Sequence, residues 1–215
     1  MIKVKICGNT NLGDVQLAKN LGADFLGFIF AKSKRYISPD KAASIIRETP
    51  GYHNFVGVFV NQPKGEVEKI AKNLQIKWLQ FHGEETSRYC HYFMEKGFRV
   101  IKSFHIKDRL SLKRIEEYNV EAFLFDTYTA HERGGSGKVF DWSLIEDTPY
   151  VHDRLFLAGG LTVKNLKEAI TLVQPYAIDV ASGVETSPGI KDPKLLEQFI
   201  KIAKSELTTD FKVTS

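Results

Sequence analysis

The apolar positions of this 215-residue chain fall into two alternating kinds of segment. Short runs rich in Val, Ile, Leu and Phe are separated by longer stretches whose apolar residues recur every three or four positions. The short runs predict strands at Lys3–Cys7, Phe25–Phe30, Asn54–Val60, Trp78–Phe81, Arg99–Ser103, Ala122–Asp126, Leu155–Ala158 and Ala177–Val180. The longer stretches predict helices at Leu12–Leu21, Pro39–Glu48, Lys64–Leu74, Ser87–Lys96, Val163–Leu172 and Pro193–Lys204. In the last of these, Leu195, Leu196, Phe199 and Ile202 share one face. Pro39 and Pro193 suit the first turn, where a missing N–H costs nothing. Weaker helical patterns cover Leu110–Glu117 and Asp141–Ile145.

Strands this apolar are expected where both faces are covered. Eight of them alternating with helices predict an α/β fold, a single (β/α)8 TIM barrel spanning residues 1–207. Residues 208–215 are polar and read as a frayed tail. The architectural alternative is an open doubly wound sheet, and the strand count argues against it.

Composition narrows the class. Hydrophobic residues make up 43% and charged residues 26% of the chain, as in globular proteins. The net charge of +4 comes from interspersed Lys and Glu, with no basic stripe, so nucleic-acid binding is not expected. A mild positive field instead draws in small anions. Cys7 and Cys90 make no disulfide framework, the N-terminus reads as a strand rather than a signal peptide, and no apolar run reaches membrane-span length. A reducing, cytoplasmic setting with no membrane association is therefore expected.

In a parallel barrel, reactive groups collect where strands end. Two glycine turns follow consecutive strands: Ala158-Gly159-Gly160-Leu161 and Ser182-Gly183-Val184. Glycine lets backbone N–H groups approach an anion, and a helix N-terminus adds positive potential. The pair predicts a phosphate seat on one rim. Strand one ends in Cys7, whose face by alternation also carries Lys3 and Lys5; a neighbouring ammonium favours the thiolate. A buried, inert cysteine is the alternative. Strand six ends in Asp126 behind the apolar Leu124-Phe125, a setting that raises a carboxyl pKa; a turn cap is the alternative. Thr127–Lys138 then reads as a loop with Gly134-Gly135-Ser136-Gly137, either a closing lid or a plain connector.

Arg35, after strand two, is either a bidentate carboxylate clamp or a solvated cation. Gln80 and His82 share a face of strand four; His82 fits a ligand contact, a proton shuttle or a satisfied core histidine. No second His or carboxylate stands at metal-ligand spacing from it along the chain, so no metal site is expected. No Walker loop, dinucleotide fingerprint or Ser-His-Asp arrangement stands out.

Taken in order, several segments resemble the phosphoribosylanthranilate isomerase family. They are Lys5-Ile6-Cys7-Gly8, Gly27–Phe30 with Ser33–Ser38, Leu79–Gly83, Phe125-Asp126-Thr127 and Gly134–Trp142, then Leu157–Leu161, Asp179–Glu185 and Pro188–Asp192. The resemblance implies a cofactor-free (β/α)8 barrel acting on a small phosphorylated aminoaldose. The implied reaction is the Amadori rearrangement of N-(5-phosphoribosyl)anthranilate in tryptophan biosynthesis. It further implies Cys7 as general base, Asp126 as general acid and Arg35 as the contact for the anthranilate carboxylate. Gly159, Gly160, Ser182 and Gly183 match the phosphate site, Asp179 a contact at the reacting end, and His82 a contact on the aromatic side. The chain departs from the family pattern at Lys34, at Val163-Lys164-Asn165 and at Ala181. A related barrel using two aspartates fits less well because strand one offers Cys7, and one using lysine and glutamate fits less well because no such pair stands out at the strand ends. A non-catalytic phosphate-sensing barrel would keep the glycine turns but not need both Cys7 and Asp126. A monomer and a homodimer both remain open.

Overall fold

A computed structural model describes residues 1–106, 112–126, 145 and 149–205. Eight parallel strands close into a ring in chain order: β1 (Lys3–Ile6), β2 (Phe25–Ile29), β3 (Phe55–Phe59), β4 (Trp78–Phe81), β5 (Arg99–His105), β6 (Ala122–Asp126), β7 (Leu155–Ala158) and β8 (Ala177–Val180). β1 pairs with both β2 and β8, which completes the barrel the sequence pattern predicts. The α-helices among the described residues are α1 (Leu12–Asn20), α2 (Pro39–Arg47), α3 (Lys64–Asn73), α4 (Ser87–Glu95), α5 (Leu166–Val173) and α6 (Pro193–Lys204). None of them is long and apolar enough to cross a membrane.

Local chemistry sets the helix starts. Ser38 accepts from the Lys41 N–H and Thr86 from the Tyr89 N–H, while Asp192 accepts from the N–H groups of Lys194 and Leu195. Each cap satisfies donors that a helix start leaves open. Pro39 and Pro193 follow two of these caps directly, as the sequence predicts.

Two apolar layers result. The larger lies between sheet and helices and includes Phe28, Phe59, Phe81, Phe93 and Phe199. The smaller fills the ring itself, from Phe25, Val56, Trp78, Ile101, Leu124 and Phe156. Phe25 on β2 meets Trp78 on β4 and Phe156 on β7 at 5.3 and 5.2 Å between ring centroids. Strands that are not neighbours meet this way only across the interior. The barrel is therefore plugged, and its chemistry is confined to the rim.

Some elements differ from expectation. Cys7 lies just past β1, and β5 runs two residues further than predicted, because His105 still pairs in register with Asp126. The Leu110–Glu117 pattern is a 3-10 turn at Arg114–Glu117, with residues 107–111 outside the described set. Leu112 and Lys113 just before the turn are helical, and the turn itself buries Ile115. Of the Asp141–Ile145 helix only Ile145 is described, and it is buried. The Thr127–Lys138 loop and the 208–215 tail also lie outside the described residues. A short hairpin, β9 (Glu185–Ser187) with β10 (Ile190–Lys191), was not foreseen.

Candidate active site

Ladder partners on parallel strands project to the same side of the sheet. Lys5 on β1 is in register with Asp179 on β8, and Lys5 Nζ donates to Asp179 Oδ1 at 2.8 Å. The lysine side chain is fully buried and the aspartate nearly so. An ammonium in that position needs a counter-charge, and Asp179 is it. Two residues further along the same face comes Cys7. Gly27 on β2 makes room for both: a Cβ there would lie 2.9 Å from Cys7 Sγ and 3.3 Å from Lys5 Nζ. Thiol, ammonium and carboxylate thus crowd one spot on the rim.

Burial pushes the Cys7 thiol above its ordinary range; Lys5 and Lys191 pull it back down, while Asp179 pushes it further up. The net direction is upward. The expectation that Lys5 favours the thiolate holds for its own influence and fails for the sum, because burial is larger and Asp179 offsets the ammonium. Burial likewise depresses Lys5, but Asp179 and Cys7 outweigh it and hold its pKa above the usual lysine value.

Arg35 reaches the rim over Gly8. Gly8 has φ +72°, and a Cβ on it would sit 2.5 Å from Arg35 Cδ, so glycine is required there both for conformation and for the close approach. The guanidinium is partly engaged. Nε donates to both oxygens of Glu185 at 2.9 Å, and Nη2 donates to Oε2 at 2.7 Å. A bidentate clamp through that edge is therefore taken by the protein itself. Nη1 has no partner among the described residues. Lys191 Nζ in turn donates to Glu185 Oε1 at 2.9 Å and to the Cys7 carbonyl at 2.6 Å. Burial pushes the Glu185 carboxyl up, yet Arg35 and Lys191 outweigh it and hold it below the usual range. Burial lowers the Lys191 pKa, with Glu185 opposing. Neither Glu185 nor Lys191 was assigned a role from sequence.

Asp126 ends β6 among imidazoles rather than in the apolar setting expected. Leu124 belongs to the barrel plug and Phe125 to the outer layer, so neither encloses the carboxylate. His82 Nε2 lies 3.4 Å and His105 Nδ1 3.8 Å from Asp126 Oδ2. Buried Gln80 meets His82 Nδ1 at 2.9 Å and Ser103 Oγ at 3.2 Å. The turn behind His82 is braced by an ion pair between Lys102 and Glu85, both buried, with Lys102 Nζ also donating to the Gly83 carbonyl at 2.6 Å. His105 escaped the sequence reading. It stands 23 residues from His82, a separation with no meaning along the chain and a direct one in a barrel, where β4, β5 and β6 are adjacent.

Gly159 and Gly160 take left-handed φ values of +91° and +63°. The helix after them does not start at the turn: α5 begins at Leu166, with Asn165 tying back to Thr162 N–H and the Gly160 carbonyl. Ser182–Val184, by contrast, is a 3-10 turn directly following β8. The two loops touch, since a Cβ on Gly183 would lie 1.9 Å from the Leu161 carbonyl oxygen. One cavity of about 580 Å³ is bordered by Cys7, Arg35, His82, Asp126, Gly159, Gly160, Asp179, Ser182 and Gly183. Every residue singled out as a site candidate lies on it.

Comparison with known proteins follows the same outline. The sequence profile of the N-(5'-phosphoribosyl)anthranilate (PRA) isomerase family matches residues 4–202. The chain belongs to this family. It is 43% identical over 205 residues to the N-(5'-phosphoribosyl)anthranilate isomerase of Pelobacter propionicus, covering 95% of this chain and 96% of that protein. The crystal structure of phosphoribosyl anthranilate isomerase from Thermotoga maritima superposes with a TM-score of 0.84 at 44% identity, covering 95% of this chain and 99% of that one. A further structure of the isomerase family, bound to reduced 1-(o-carboxyphenylamino)-1-deoxyribulose 5-phosphate, has a TM-score of 0.82 at 41% identity, with 95% and 99% covered. Membership in the isomerase family makes the rim cavity the place to look for acid–base chemistry on a sugar phosphate.

Proposed function

We propose that this chain performs its family's isomerisation with Cys7 as general base and Asp126 as general acid. The reaction is the Amadori rearrangement of N-(5-phosphoribosyl)anthranilate to 1-(2-carboxyphenylamino)-1-deoxyribulose 5-phosphate, a step of tryptophan biosynthesis. The observation that carries the assignment is a single cavity bordered by a thiol from β1 and a carboxyl from β6, with two glycine turns and an arginine around it.

The substrate has an anion at each end. The phosphate fits the touching turns of Gly159-Gly160 and Ser182-Gly183, whose Cβ-free backbone admits close approach. The benzoate fits Arg35, through the Nη1 side that Glu185 leaves open. Holding both ends fixes the ribose between Cys7 and Asp126 and removes the entropy of bringing them together. Asp126 gives a proton to the ring oxygen, the C1′–O bond breaks, and the nitrogen lone pair closes an iminium. Cys7 as thiolate then takes the C2′ proton, leaving an enolamine. Loss of the O2′ proton and gain of one at C1′ complete the ketose, with no net proton uptake.

A thiol held above its ordinary pKa suits this order of events. It stays protonated in the empty cavity; once the ring has opened, the iminium's positive charge favours passage of the thiol proton to the Asp126 carboxylate, which restores the acid and leaves the thiolate to act as base. His82, between Gln80 and Asp126, stands beside the carboxyl and orients it. Asp179 keeps Lys5 paired beside the thiol.

Replacement of either proton-transfer group should cost about 10²–10⁴-fold in turnover. Cys7→Ser and Asp126→Asn are expected to lower kcat by that range while leaving affinity for the reduced product analogue within a few-fold. Near-wild-type kcat in either variant removes that residue's role. Arg35→Ala is expected to act mainly on affinity for the same analogue, and unchanged affinity would refute the clamp.

A further inference from the structure

Three neighbouring strands each end in a group that ligates transition metals. His82 follows β4, His105 closes β5 and Asp126 closes β6. Their donor atoms all lie within 4.8 Å of one another, with Asp126 Oδ2 3.4 Å from His82 Nε2 and 3.8 Å from His105 Nδ1. Around a tetrahedral Zn²⁺ with N and O ligands at about 2.0–2.1 Å, ligand atoms are roughly 3.3 Å apart. The His82–Asp126 span already matches that geometry. His105 is 57% exposed and closes the remainder by side-chain rotation. Gln80 sits on the other ring nitrogen of His82 at 2.9 Å. Gln80 Nε2 is the atom on Nδ1, and its Oε1 has no hydrogen-bond partner among the described residues; with the amide turned end for end, Oε1 accepts from Nδ1–H and leaves the Nε2 lone pair for a metal, the usual arrangement behind a histidine ligand. His82 and Asp126 both border the cavity, so an ion held by them lies at its edge.

We propose that His82, His105 and Asp126 form an inhibitory binding site for a divalent transition-metal ion of the Zn²⁺ or Co²⁺ kind. Two imidazoles and one carboxylate select these ions over Mg²⁺ and Ca²⁺, which prefer all-oxygen shells. The ion competes with substrate for the same part of the rim and occupies the oxygen that must carry the acid's proton. His105 takes no part in the isomerisation derived above, so the metal site is separable from catalysis.

The test is a Co²⁺ titration of the tag-free full chain followed by visible absorption, with displacement by Zn²⁺, alongside initial rates with and without Zn²⁺. A saturable one-to-one spectrum of tetrahedral intensity is expected, together with inhibition that is competitive with substrate and reversed by chelator. His105→Ala should weaken both the spectrum and the inhibition at least ~10-fold, the smallest loss typical even for an outer-shell partner, while metal-free kcat is unchanged. His82→Ala should lose the Co²⁺ spectrum whatever it does to the rate. The proposal is overturned if no saturable spectrum appears up to millimolar Co²⁺, or if His105→Ala binds as tightly as wild type. A thiolate-to-cobalt band that vanishes in Cys7→Ser would also overturn it, by moving the metal to the sulfur. Because binding is read by spectrum, a wrong acid assignment for Asp126 leaves the metal result intact.

Discussion

Gly27 carries no functional group, yet it sets the geometry of the reacting thiol. The 2.9 Å gap between its would-be Cβ and Cys7 Sγ is shorter than any real contact, and Lys5 Nζ closes the same space at 3.3 Å. Gly27→Ala must push the sulfur or the ammonium aside. An overpacked site of this kind costs about 1–3 kcal/mol. The expected outcome is that loss in urea unfolding together with a kcat well below wild type; unchanged kcat would show that Sγ has room to retreat without consequence. Asp179→Asn tests the charge rather than the space. It leaves the fully buried Lys5 with no counter-ion, and breaking a buried pair costs about 3–5 kcal/mol. The thiol itself is open to direct titration. Because burial holds Cys7 above its ordinary value of 9.0, alkylation by iodoacetamide should stay slow through neutrality and accelerate only beyond about pH 9. Cys90, pushed up to about 12 by burial, should remain silent over that range. A Cys7 rate that levels off below pH 8 would overturn the assigned direction.

The strands were legible because each is a short apolar run, and their order follows from chain order once the ring closes. The loops were legible only where a residue type has one physical reason to be present. Gly159, Gly160 and Gly183 announced a close approach, whereas Glu185 and Lys191 looked like two more surface charges in a chain rich in them. They became structural because β9 and β10 fold the segment back onto Cys7, and no periodicity encodes that. His105 was missed for a related reason: metal-ligand spacing was sought along the chain, while a parallel barrel assembles ligands from neighbouring strand ends. At this scale the glycine loops make the sharpest prediction. Gly183→Ala places a Cβ 1.9 Å from the Leu161 carbonyl oxygen, which is backbone and cannot swing away. The loops after β7 and β8 must separate. KM for the phosphorylated substrate should rise at least ~10-fold, about 1.4 kcal/mol of lost binding, with kcat at saturation reduced far less. Equal loss of kcat and no change in KM would mean that the turns do not hold the phosphate.

The charge pairs that hold the rim also determine where the whole molecule is most stable. On the acid side, Glu185 on the rim and Asp24 at the opposite end of the barrel sit below their ordinary values of 4.5 and 3.8, because Arg35 and Lys191 engage the first and Lys204 the second more strongly than burial opposes. The unfolded chain therefore binds more protons than the folded one as pH falls past those values, and stability drops. Glu68, half-buried and engaged by Lys72, Lys96 and Tyr92, is held at about 2 and acts in the same direction. On the alkaline side, burial raises Cys7 above 9.0 and Tyr52 above 10.0, and Asp179 and Cys7 together hold Lys5 above 10.5. The folded state then keeps protons that the unfolded chain releases, so stability falls again as pH climbs through this range. Lys191 works against that trend: its folded pKa lies below 10.5, and it contributes stability as pH rises toward that value. It is one group against several, since burial raises Cys90, Tyr89 and Tyr118 as well. Scanning calorimetry should show a Tm plateau between roughly pH 5 and pH 9, with a decline on both sides. Lys5→Met/Asp179→Leu removes the buried pair without leaving a lone charge, so it should soften the alkaline decline while the acid limb stays put. A Tm that climbs steadily to pH 11 in the parent chain would mean that the rim pairs do not control its stability.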